Sequence, residues 1–129
     1  MMWGLSSLDD SAIVTWCTGL FRQLNSKPDA WDALGPAYHQ RLEKNCVTWV
    51  HHYVWEGLDR RYSAQELTNR PIAWSVGGFS EVWLGVSNIR VAESAGIGVE
   101  ILPCKHFPQV EIPEILANHI RAQAQAQRS

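Results

Sequence analysis

The chain has 129 residues, 46% of them hydrophobic and 19% charged. That is the size and make-up of one ordinary globular domain, and it excludes disorder and collagen-like repeats. Eleven Lys and Arg against thirteen Asp and Glu leave a net charge of −2, so nothing marks duplex DNA or an acidic membrane as the main partner.

The N-terminal stretch, with Asp9 and Asp10 and no basic segment, is unlike a signal peptide. Ser6-Ser7 before the two aspartates reads as a helix start, with hydroxyls to cap and carboxylates at the positive end of the dipole. Ile13, Trp16, Cys17, Leu20, Phe21 and Leu24 then recur at a three-four spacing, the apolar stripe of an amphipathic helix. Its uncharged run from Ser11 to Phe21 is far short of the roughly 20 residues that a membrane span needs. Pro28-Asp29 opens a short helix carrying Ala30, Trp31 and Leu34.

Gly35-Pro36 starts the longest predicted element, Pro36 to Leu58. At about 100° per residue, Tyr38, Leu42, Cys46, Trp49 and Tyr53 form one apolar stripe, and Val47, Val50, Val54 and Leu58 form a second beside it. A helix apolar over more than half its circumference is expected to lie between two neighbours. Its remaining sector holds Arg41, Lys44, Asn45, Thr48, His51, His52 and Trp55, where the Trp55 ring falls on a side the pattern assigns to solvent. Arg60-Arg61 follow.

Ser63-Ala64-Gln65-Glu66 is a capping box that begins one short helix, ended before Arg70-Pro71. Ile72, Trp74 and Val76 then alternate with small or polar residues up to Gly77-Gly78, a strand and a turn. Ile97 to Leu102, closed by Pro103, is a second strand. Residues 80–96 between them have two readings. The β-branched Val82, Val86, Ile89 and Val91 favour a hairpin around Ser87-Asn88. The alternative is a helix capped by Ser80 and ended by Gly96, which makes residues 72–102 one β-α-β unit. Lys105 to Ile112 reads as an irregular loop or edge segment. A last helix over 113–124, burying Ile115, Leu116 and Ile120, runs into an Ala-Gln tail at 125–129 expected to fray.

The expected fold is α+β in a single domain over 1–129: a helical layer (7–69) packed on a small sheet (72–102), with a C-terminal helix (113–124). No motif names a reaction. Cys17, Cys46 and Cys104 are odd in number and widely spaced, which fits reduced thiols in a cytoplasmic protein better than disulfides or zinc. Cys46 falls in an apolar stripe, away from His51 and His52, where a thiol is inert packing. His52 and Glu56, four apart on one face, lack a recognisable third metal ligand. His119 reads as a buried, hydrogen-bonded histidine. Gly77-Gly78-Phe79-Ser80 offers a weak anion cradle if Ser80 starts a helix, and more often such a glycine pair is only a turn.

The surface ranked first is therefore the basic and aromatic one, Arg41, Lys44, His52, Trp55, Arg60 and Arg61, because Arg and Trp are enriched at interface centres. The bland reading is that the cationic stems merely cover one ring. Seven Trp, with Trp3, Trp31 and Trp83 able to add apolar surface, point the same way. The expected function is a non-enzymatic protein–protein interaction module or small subunit of a larger assembly or oligomer. The alternatives are a small enzyme or ligand-binding domain with a Trp- and His-lined pocket, and a subunit binding single-stranded nucleic acid. No catalytic residue, metal ligand or cofactor is assigned from the sequence.

Overall fold

A computed structural model describes residues 4, 7–27, 29–54, 61 and 63–128. Trp3, Trp55, Glu56, Leu58 and Arg60 lie outside them. The fold class is α+β: α1 (Asp10–Gln23), α2 (Ala30–Ala33), α3 (Pro36–His52), α4 (Ala64–Thr68), β1 (Trp74–Gly77), α5 (Val82–Ser94), β2 (Val99–Leu102), α6 (Pro108–Glu111) and α7 (Pro113–Ala126). The chain divides into two compact units, residues 1–23 with 27–61, and residues 24–26 with 62–129.

The first unit is helical. Asp9, rather than Ser7, caps α1, its carboxylate accepting from the Ala12 N–H at 2.8 Å, and Ser6 lies outside the described residues. The expected stripe faces inward: Ile13, Cys17 and Val50 form a buried cluster, against which Trp16, Cys46 and Val47 pack. Thus α3 meets α1 through its valine stripe. The other stripe is not covered as expected, since Trp49 is 42% and Tyr53 60% exposed. Among the described residues α3 has substantial helix packing on one side, against α1, instead of the two neighbours that the width of its apolar face implied. Trp31, buried, stacks on His39 with ring centroids 4.3 Å apart and meets Phe21 edge-on at 5.4 Å.

The second unit carries the sheet. The capping box forms as read, with Ser63 Oγ accepting from the Glu66 N–H and Glu66 Oε2 accepting from the Ser63 N–H. β1 and β2 pair in parallel with Trp74 opposite Val99 and Gly77 opposite Leu102, and α5 crosses between them. The β-α-β reading is therefore the right one and the hairpin is wrong. Local β-preference lost to two stronger terms. Leu84, Asn88, Ala92 and Ala95 recur at helical spacing, are buried or half-buried, and belong to the face that α5 packs on both strands. Gly96, at φ +69°, also stops the helix in a Schellman motif: its N–H reaches the Glu93 carbonyl and the Ile97 N–H reaches Ala92.

Two further expectations change. Residues 108–111 form a helical turn because Pro108 supplies the first helical position and the Phe107 carbonyl accepts from both Val110 and Glu111. α7 continues to Ala126, beyond the expected end at 124, while Gln123 and Gln127 donate to Glu100 and to the Pro71 carbonyl, each at 3.3 Å. Ile115 and Ile120, expected inside, are 46% and 58% exposed. His119 does pack inward, its side chain 9% exposed and Nδ1 2.9 Å from Glu100, close enough for an ion pair but out of line for a hydrogen bond.

Burial assigns opposite outcomes to two aromatic- and aliphatic-stripe residues of the first unit. Ile13→Ala, at a fully buried position, is expected to cost about 3 kcal/mol in denaturant unfolding, against less than about 0.5 kcal/mol for Tyr53→Ala at the exposed one. Equal costs would contradict this placement of α3.

Candidate active site

Parallel strands end together, so the loops leaving them converge. In open α/β sheets ligands sit in the crevice at those carboxyl ends. Here a cavity of about 200 Å³ opens at that end. Val76 and Gly77 of β1, Ser80 of the following turn, Leu84 and Asn88 of α5, and Leu102, Cys104, Lys105 and His106 of the β2 exit line it. His106 is the titratable ring among them, exposed and standing edge-on to Phe107 with centroids 5.3 Å apart.

The loop that carries His106 is gripped at successive peptides. Gly78 and Phe79 donate their N–H groups to the carbonyls of Leu102 (2.8 Å) and Cys104 (2.9 Å), extending the strand pairing past its end. The His106 N–H donates to the Leu24 carbonyl at 3.0 Å. The Lys105 and Phe107 N–H groups donate to Glu111 Oε2 (2.9 Å) and Oε1 (3.3 Å), and the Ser26 hydroxyl donates to Oε2 as well. Glu111 is only 1% exposed. Burial by itself pushes its carboxyl pKa up, but these donors outweigh burial and hold it below the usual carboxylate range. Burial, and then the nearby Glu111 charge, push the Cys104 thiol up.

Gly77 makes the close crossing possible. A Cβ there would lie 1.9 Å from the Lys105 carbonyl oxygen and 2.6 Å from that of Cys104, so no larger residue fits under the loop. The glycine pair is thus a backbone crossing rather than an anion cradle: the N–H groups of Gly78, Phe79 and Ser80 are engaged by Leu102, Cys104 and Gly77 carbonyls.

The described residues of the basic and aromatic surface, Arg41, Lys44, His52 and Arg61, do not line this cavity. Arg41 and Lys44 are exposed on α3, with the Arg41 guanidinium 6.0 Å from the Tyr38 ring centre. His52 is exposed and edge-on to His51 and Tyr53. Arg61 is exposed, and Trp55, Glu56 and Arg60 fall outside the described residues. His51 Nε2 lies 3.3 Å from Asp10, joining the end of α3 to the start of α1. Among the described residues no three His, Cys, Asp or Glu side chains cluster as a metal site would require. Cys17 donates a thiol hydrogen bond to Cys46; burial first, and then this contact, push Cys17 up to about 12, and burial raises Cys46 also, as expected of packing thiols. His106 and Glu111 were both missed. The signal for His106 was its place just beyond a strand that closes a β-α-β unit, visible only once residues 80–96 are read as helix; Glu111 carried none.

No family model matches the chain. It is 32% identical over 114 residues to a zearalenone hydrolase of Cladophialophora bantiana, covering 87% of this chain and 43% of that protein. It is 28% identical over 108 residues to a zearalenone hydrolase of Bionectria ochroleuca, covering 78% of this chain and 39% of that one. The chain therefore spans less than half the length of the curated relatives it matches. These matches overturn the expectation of a non-enzymatic, oligomeric protein–protein interaction module: the proteins it resembles over most of its length are named as enzymes. No described helix is long and apolar enough to cross a membrane.

Two glycines test the geometry with opposite signs. Gly77→Ala is expected to lower stability by about 1–3 kcal/mol, because the overpacked loop must move. Gly85→Ala, in α5 with nothing within 4 Å of its added Cβ, is expected to raise it by about 1 kcal/mol through helix propensity. A neutral Gly77→Ala in thermal unfolding would contradict the crossing.

Proposed function

We propose that this chain supplies the proton-transfer histidine, His106, of a hydrolase centre acting on zearalenone, whose lactone is an ester, or on a related ester. The observation that carries the reading is the placement of an exposed imidazole on a pinned loop at the carboxyl end of the second parallel strand, at the rim of a cavity. The names of the two relatives support the reaction class and the substrate.

Ester hydrolysis needs a group that takes a proton from the attacking hydroxyl and returns it to the departing alkoxide. An imidazole does both near neutral pH, because its ordinary pKa is close to that pH. His106 does this from the cavity rim, and its fixed main chain holds the ring near one position between the two transfers. Val76 and Leu84 give the cavity an apolar wall beside it. We assign only this histidine of the reaction centre to the chain. The thiols, all without disulfide partners, support a reducing compartment such as the cytoplasm as its location.

His106→Ala is expected to lower kcat for zearalenone hydrolysis by about 10²–10⁴-fold, the range for loss of a general base. Because the ring is exposed, the melting temperature should stay close to that of the unchanged protein. Hydrolysis at more than a tenth of the original rate would contradict the assignment.

A further inference from the structure

Glu111 is a costly residue to place where it is. A carboxylate removed from water is unfavourable unless donors replace its hydration, and an apolar side chain of similar volume commonly serves stability as well or better. Its retention calls for something that only a carboxylate does. An ionised carboxylate accepts at both oxygens and donates at neither. At this position it meets four donors: the Ser26 hydroxyl and the Lys105 N–H at one oxygen, the Phe107 N–H at the other, and the Ser26 N–H as well. A glutamine would turn a donor toward one of these donors.

The two peptide N–H groups that Glu111 holds flank His106, whose own N–H is held by the Leu24 carbonyl. Three successive amides are therefore held from two directions, which fixes the backbone at residue 106 and so the point from which its side chain departs. Glu111 itself comes to the loop on α6, a turn whose first hydrogen bonds are accepted by the Phe107 carbonyl, so that carboxylate and loop position each other.

We propose that Glu111 is a positioning residue for His106, its buried carboxylate setting the peptides on either side of the histidine so that the imidazole is presented to the cavity in one orientation. This deepens the reading of His106 as the proton-transfer group and rests on it. Misplacing a reacting group by about 1 Å costs on the order of 10²-fold in rate. The expected signature is therefore in kcat and not in substrate binding.

The test compares unchanged protein, Glu111→Gln, Ser26→Ala and His106→Ala for zearalenone hydrolysis, well below each melting temperature. The proposal expects Glu111→Gln to lose at least about tenfold in kcat while KM stays within about twofold. Ser26→Ala, which removes one donor and leaves the carboxylate, should move kcat the same way by less, and it stands in if Glu111→Gln does not fold. An inactive His106→Ala beside a Glu111→Gln (or its stand-in) with unchanged kcat, even if that variant melts earlier, would overturn the positioning role and leave the function standing. A fully active His106→Ala, or no turnover by the unchanged protein, would overturn the function. In that event backbone ¹⁵N order parameters at 105–107 decide the positioning claim. They are expected near about 0.85 in the unchanged protein and below about 0.6 in the variant; equal values would overturn it.

Discussion

A buried carboxylate must be given hydrogen-bond donors or lose its charge, and the donors that Glu111 has found are the peptide groups on both sides of one residue. Everything at the cavity depends on that exchange. Glu111 replaces its water with Ser26, Lys105 and Phe107, and in return the strand-exit loop is tied down at Lys105 and Phe107. The loop does not need extensive packing of its own: Cys104 is buried while His106 stays exposed two residues later. A short stretch of chain is thus anchored at its root and at both shoulders, with the His106 ring outside.

The rest of the unit brings that loop to its place. The parallel pairing of β1 and β2 directs both strand exits to one end, and α5 must cross over for the pairing to be parallel at all. Gly77 lets the exit of β2 pass over the exit of β1 at a distance no side chain tolerates. The cavity lies between these exits and the first turns of α5, so its walls and the histidine at its rim are set by the same few backbone contacts. That economy is consistent with a site requiring a fixed ring next to an apolar wall, which is what the proposed ester hydrolysis asks of it.

Much of the framework was legible in the sequence because it rests on periodic or local signals. The stripe from Ile13 to Phe21, the capping box at Ser63, the breaks at Gly35-Pro36 and Gly96, and both strands follow from spacing and caps alone. Burial on α3 and α7 was not legible. Trp49, Tyr53, Ile115 and Ile120 sit on apolar faces of their wheels but are exposed, since periodicity reports a face without saying whether anything lies against it. The site was hidden for a different reason. Glu111 and Ser26 are 85 positions apart, and a carboxylate in a proline-rich segment carries no local sign that it will fold back on the peptide N–H groups of Lys105 and Phe107 just before it. Choosing the hairpin for residues 80–96 also removed the parallel pair whose carboxyl end draws attention to His106. With antiparallel strands, that histidine is simply one of five.

Glu111 stands at this site as a charged, hydrogen-bonded carboxylate inside the protein. A carboxyl-carbon NMR titration of selectively labelled protein, taken from neutral pH downward with melting temperature followed in parallel, tests it directly. A folded-state pKa below the unfolded value stabilises the protein above the unfolded value, and that contribution is lost as pH falls through the folded one. Glu111 is expected to titrate below the ordinary glutamate value of about 4.3, with its share of stability disappearing over the same interval. Titration at or above that value would mean that burial prevails over the donors, and that the loop carrying His106 is not held in the way described.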